Sequence, residues 1–185
     1  MRVDAAGWLD GVRHVPSPNF DARPDGMVID TLVIHNISLP PGEFGGPCVE
    51  AFFTNQLDTT LHPFFEQIRD VHVSSHVFIR RDGEIVQFVA FTQRAWHAGE
   101  SWFDGRTRCN DFSIGIELEG ADTAPYDDRQ YAALVAVTRV LMATYPRLTM
   151  SRIIGHCHIA PHRKSDPGPA FDWQRYLTET SVIRI

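Results

Sequence analysis

No apolar run in this chain approaches the roughly 20 residues needed to span a bilayer, so no membrane span is expected. Cysteine is scarce: Cys48, Cys109 and Cys157 are the only three in 185 residues, an odd and widely separated set. They form no disulfide framework, and a reducing cytoplasm is the easier setting. The first ten residues carry acidic side chains and a glycine where a signal peptide needs an unbroken apolar core, so export is not expected. Positive charge is not in excess. The net charge is −6 with neutral histidines, which disfavours nucleic acid as a partner. There is no Gly-rich phosphate loop, no serine nucleophile elbow and no His-Glu-x-x-His helix.

What the chain does have is concentrated in residues 155–169, where His156, His158, His162, Lys164 and Asp166 lie among prolines and glycines. This segment is poor in core-forming residues and rich in metal-ligating and proton-handling ones. It directly follows Ile153-Ile154, which reads as a strand end.

The length suits one domain with a single core over 1–185. Residues 1–30, with Pro16, Pro18 and Pro24, read as a wrapping segment with little regular structure. Thr31-Leu32-Val33-Ile34 is a buried-strand candidate ending at His35. Short helices are expected near 48–56 and from Pro63, a residue suited to a first helical turn. Residues 77–88 read as a hairpin with Asp82-Gly83 at a tight turn. From Phe112 to Glu119 the sequence alternates, placing Phe112, Ile114, Ile116 and Leu118 on one face and Ser113, Gly115, Glu117 and Glu119 on the other. A helix over about 128–144 follows, with Asp127 as N-cap, Gln130 completing a capping box and Pro146 as the stop. Another is expected from Asp172 to about Glu179. Strands mixed with helices and a hairpin predict an α/β or α+β fold with a central mixed sheet.

Catalytic zinc sites use three protein ligands and keep one position open. His35 and His156 each end a predicted strand, and neighbouring strands would bring both imidazoles into one cleft. Asp166 can supply the third ligand across the proline-rich loop. His158 competes for that place, since residues two apart share a strand face. Glu117 lies on the face left open by Gly115, where a missing side chain would admit a ligand. It is a candidate to accept a proton from a water; Glu119 suits a solvent-facing position. Lys164 can stabilise charge developing on a carbonyl oxygen. Against each stands a plainer reading: hydrogen-bonded structural histidines, a solvated glutamate, a surface lysine. His14 and His62 are expected at the surface or in packing, and His76 in a structural role. A Cys157–His158 dyad is disfavoured, because adjacent strand residues point to opposite faces. Arg106, Arg108, Arg163 and Lys164 concentrate positive charge that could hold a small anion.

Val33-Ile34-His35-Asn36-Ile37-Ser38-Leu39-Pro40-Pro41-Gly42, Arg94-Ala95-Trp96-His97-Ala98-Gly99 and the stretch from Cys109 to Gly120 together resemble the AmpD-type 1,6-anhydro-N-acetylmuramoyl-L-alanine amidases. The resemblance runs from about Trp8 to Trp173. It implies the fold of peptidoglycan-recognition proteins, with helices packed on a central mixed sheet. It also implies Zn2+ held by His35, His156 and Asp166, with Glu117 and Lys164 as the catalytic pair. The implied substrate is an anhydro-muropeptide, cut between N-acetylmuramic acid and the L-alanine of its stem peptide during cytoplasmic peptidoglycan recycling. Arg108 matches an arginine that contacts the stem peptide. Trp96 and His97 would line the cleft, with core packing an equal alternative. His158 stands where relatives have a small polar residue, His72 where they can have an arginine, and Cys48 where they have a large aromatic. A muropeptide-sensing module and a general zinc peptidase are the rival readings.

Overall fold

The structure is a computed structural model that describes residues 1–182. Ten strands form in chain order: β1 (Arg13–His14), β2 (Phe20–Ala22), β3 (Thr31–Ile37), β4 (Val77–Ile79), β5 (Ile85–Gln87), β6 (Gln93–Ala95), β7 (Trp102–Phe103), β8 (Arg106–Thr107), β9 (Ser113–Glu119) and β10 (Ile153–Gly155). Five α-helices accompany them: α1 (Cys48–Phe53), α2 (Pro63–Gln67), α3 (Asp128–Thr144), α4 (His156–Ile159) and α5 (Trp173–Ser181).

The main sheet runs β1-β5-β4-β9-β3-β10. Only the β4–β5 hairpin pairing is antiparallel, so the sheet is mixed. Its central strands are buried on both faces, as parallel strands covered by helices must be. On one face Leu32, Ile34, Ile114 and Ile116 pack against Leu134, Val137 and Leu141 of α3 and Tyr176 of α5. On the other, Phe78, Val86 and Phe88 meet Phe52 and Phe53 of α1 and Phe65 of α2. The capping box at α3 is formed as expected, with Asp127 accepting from the Arg129 amide and Gln130 closing back on the Asp127 amide.

Three expectations are corrected. The β4–β5 connection is longer than a two-residue turn: the Arg80 amide donates to the Glu84 carbonyl, and only Gly83 takes a positive φ, at 87°. Residues 1–30 are more regular than expected. They supply edge strand β1 and the β2 partner of β6, and Arg23 donates to the carbonyls of Phe91, Asn110, Asp111 and Ser113. Glu119 is only 2% exposed; its carboxylate accepts from the backbone amides of Gly45 and Arg81 and so ties the 38–47 loop to the sheet.

Candidate active site and metal centre

Strand order builds the site. β10, β3 and β9 lie side by side, and His35 is in register with Glu117. Gly155 pairs with Ile34, so His156 follows beside His35 at the same sheet end. Because Ile34 and Ile116 face α3, their neighbours His35 and Glu117 point to the opposite side. A row of two imidazoles and a carboxylate results; His156 and Glu117 line a cleft of about 460 Å³, with His35 buried between them.

The loop after α4 returns Asp166 to this row. Its carbonyl accepts from the Cys157 amide, and the next carbonyl, on Pro167, accepts from the Tyr126 hydroxyl. Gly168 lies so close to Asp122 that a Cβ there would come within 2.2 Å of its backbone. Its φ of +77° also favours glycine.

Among the described residues, His35, His156 and Asp166 form a group able to hold a metal ion. His35 Nδ1 lies 3.0 Å from His156 Nδ1, and both nitrogens lie 3.1 Å from Asp166 Oδ2. Bonds of about 2.0–2.1 Å at tetrahedral angles would place donors about 3.3 Å apart, so the triangle fits a zinc-sized ion with little adjustment. The two histidines are 1% and 3% exposed. His156 Nε2 lies 3.1 Å from the Ala98 carbonyl, which can only accept. The proton therefore sits on Nε2, and Nδ1 presents a lone pair.

Burial is the main influence on His35 and lowers its pKa to about 4, against the opposing pull of Asp166. The imidazole is thus neutral, as a ligand must be. His76 and His97 are also held well below their usual value, chiefly by burial.

These shifts carry a prediction for the metal-free protein. The folded state resists protonating His35, His76 and His97, whereas the unfolded chain accepts protons near pH 6.5. Their contribution is fully present above pH 6.5 and is lost as pH falls towards the folded-state values, about 4 for His35. Because the raised pKa of Glu117 acts in the opposite sense, the melts belong on the chelated Glu117→Gln protein, whose Tm should fall from pH 7 to pH 5; a flat profile there would contradict the assignment.

Glu117 lines the cleft with Lys164, His156 and Asp166. Its Oε2 is buried and has no hydrogen-bond partner among the described residues. Desolvation, followed by the charge of Asp166, raises its pKa well above the carboxylate range, with Lys164 opposing. An unpaired carboxylate made more basic in this way is suited to taking a proton.

Several sequence expectations find their place. Trp96 and His97 line the cleft. Gly115 leaves room as expected, but the occupant is His97: a Cβ on Gly115 would come within 2.4 Å of its ring. A Gly115→Ala variant should lose about 1–3 kcal/mol from overpacking, measurable by urea unfolding, and unchanged stability would show that His97 moves aside freely. Arg108 is not among the cleft-lining residues. It is 68% exposed, lies near Asp111, and borders an adjoining groove with Trp102 and Arg163. His158 does not share a face with His156, because α4 begins at His156 and replaces the expected strand. Its Nδ1 accepts from the Gly155 amide and its ring packs on Trp173. The Cys157–His158 geometry is likewise helical, and all three cysteines are free. His72 contacts Asn55 outside the cleft; His62 caps α2, and His14 is exposed. His76 is buried and accepts from the Gly115 amide, a structural placement. The sequence reading missed Asn110, whose Oδ1 accepts from the amides of both His97 and Ala98. A polar residue just before a strand was its only signal.

A mixed sheet carrying a His, His, Asp triangle beside an unpaired carboxylate defines an α+β protein with a candidate metal-dependent hydrolase centre. The N-acetylmuramoyl-L-alanine amidase family model matches residues 25–169. The chain belongs to this family of enzymes. It is 61% identical over 170 residues to the 1,6-anhydro-N-acetylmuramyl-L-alanine amidase AmpD of Escherichia coli K12, covering 92% of each chain. Its structure is similar to a crystal structure of a selenomethionine AmpD derivative, with a TM-score of 0.94 and 56% identity, covering 98% of this chain and 100% of that one. It also resembles the E. coli amidase AmiD solved with anhydro-N-acetylmuramic acid-L-Ala-D-γ-Glu-L-Lys, at a TM-score of 0.61 and 29% identity over 96% of this chain and 65% of that one.

Proposed function

We propose that this chain hydrolyses the amide between 1,6-anhydro-N-acetylmuramic acid and the L-alanine of the stem peptide, using zinc held by His35, His156 and Asp166. The observation that carries the reading is the triangle of His35, His156 and Asp166 donors beside Glu117, whose buried Oε2 has no hydrogen-bond partner among the described residues. The near full-length likeness to an amidase named for this substrate supports it. Zinc, when bound, supplies a Lewis acid that acidifies water and polarises a carbonyl. Glu117 takes the proton from the attacking water and delivers it to the leaving alanine nitrogen. Lys164, exposed at the cleft edge, faces the negative charge that develops on the carbonyl oxygen. Trp96 forms a wall against the substrate. Arg108 is an outlying cation for the acidic stem peptide, beyond the scissile amide.

Free cysteines suit a reducing compartment, and we place the reaction in cytoplasmic peptidoglycan recycling, within a single domain. Among the described residues no helix is long and apolar enough to cross a membrane. Incubating the zinc-loaded protein with anhydro-muropeptide should release free stem peptide, detected by mass spectrometry. Tight binding without release would instead favour a sensing module, and cleavage within the peptide a general peptidase.

A further inference from the structure

The family-level site leaves one buried imidazole without a role. His97 is 8% exposed and sits directly behind His35, its Nδ1 2.9 Å from His35 Nε2. Its Nε2 lies 3.2 Å from the Ser113 hydroxyl, which lies 2.6 Å from the Cys109 carbonyl.

The direction of this chain follows from its far end. A carbonyl only accepts, so the Ser113 hydroxyl spends its one proton on Cys109. Ser113 Oγ must then accept from His97, which places the His97 proton on Nε2 and leaves Nδ1 as an acceptor. His97 Nδ1 therefore takes the Nε2 proton of His35. His35 is left with a bare Nδ1, the atom in the donor triangle.

The neighbouring residue does the same for His156. The Ala98 carbonyl accepts from His156 Nε2, and Asn110 clamps the His97 and Ala98 amides together. Two adjacent residues on one loop thus set the tautomers of two ligands at the same end of neighbouring strands, His35 on β3 and His156 just after β10. Gly115 is the condition for this arrangement, because any side chain there would occupy the place of the His97 ring.

We propose that His97 is a positioning residue: held by Ser113 and Asn110, it fixes His35 in the tautomer whose Nδ1 is free to bind the metal, and it makes no substrate contact essential to turnover. This rests on the reading of His35, His156 and Asp166 as the metal ligands. Outer partners of ligating histidines typically carry 10–100-fold in metal affinity.

The test is zinc affinity of the full-length protein, measured by competition with a chromophoric chelator. His97→Phe keeps an aromatic ring but cannot accept, and should weaken zinc binding ~10–100-fold. His97→Asn places an oxygen near the position of Nδ1 and should recover most of that loss. In the zinc-free wild type, long-range proton–nitrogen NMR should show the His35 proton on Nε2. Should His97→Phe fail to fold, Ser113→Ala takes its place: it removes the acceptor that orients His97 and should weaken binding towards ~10-fold. Wild-type affinity in a folded His97→Phe or Ser113→Ala protein, or a His35 proton on Nδ1, overturns the proposal. A His35→Ala control separates the two levels. If it loses zinc while His97→Phe keeps it, only the role of His97 fails; if His35→Ala keeps zinc, the ligand assignment fails and this inference with it.

Discussion

Glu117→Ala should retain its zinc and lose at least ~100-fold in turnover, the effect expected of a removed general base. Three features of its position lead to this expectation. Register pairing sets Glu117 beside His35 rather than across the cleft from it. One carboxylate oxygen is buried without a partner among the described residues, which is costly unless function retains it. Burial and Asp166 raise its proton affinity, so the group is more basic than an exposed glutamate. Glu117→Gln, which keeps the shape and removes the charge, should lose a similar factor. Metal content by elemental analysis and release of stem peptide from anhydro-muropeptide separate binding from chemistry. Near-normal turnover by a zinc-loaded variant would remove Glu117 from the mechanism.

Asp166→Ala should lose zinc while His158→Ala keeps it. Asp166 contributes the carboxylate oxygen 3.1 Å from both imidazole nitrogens. Without it, two neutral donors remain, and affinity should fall by more than the ~10–100-fold typical of an outer partner. His158 is already engaged: its Nδ1 accepts the Gly155 amide and its ring lies against Trp173, 5.8 Å between centroids. Its loss should affect the start of α4, with zinc stoichiometry unchanged. The opposite pattern would show that α4 rearranges to present His158 as the ligand.

Local features were legible where a short-range rule governs them. Asp127 and Gln130 announce a helix start because the capping box closes within four residues. Ile153-Ile154 and the β3 run read as strands because β-branched apolar residues suit a buried sheet. His35, His156, Asp166 and Glu117 could be nominated as site residues because their chemistry is unusual beside apolar strands. The misplacements arise where distant contacts decide. Glu119 looked solvent-facing by alternation, yet the Gly45 and Arg81 amides, remote in sequence, draw it inward. His158 looked like a strand neighbour of His156, but the chain turns into α4 as the Cys157 amide bonds back to the Asp166 carbonyl. The space at Gly115 looked open for a ligand, but His97 fills it from another segment.

The longer strands and helices, β3, β9 and α3, were legible in the chain alone, because hydrophobic period and capping act over a few residues, whereas the short strands of residues 1–30 and the α4 turn were not. The sequence by itself also carried the family resemblance, through motifs in order along most of the chain. Only the tertiary structure decided which histidines meet. Strand order β10-β3-β9 sets His156, His35 and Glu117 in a row, and the return of the 160–169 loop adds Asp166 and leaves His158 aside. It also decided that His97 stands behind His35. Strand order, loop return and the tautomer of a buried imidazole depend on contacts between residues far apart in the chain, which no local pattern specifies.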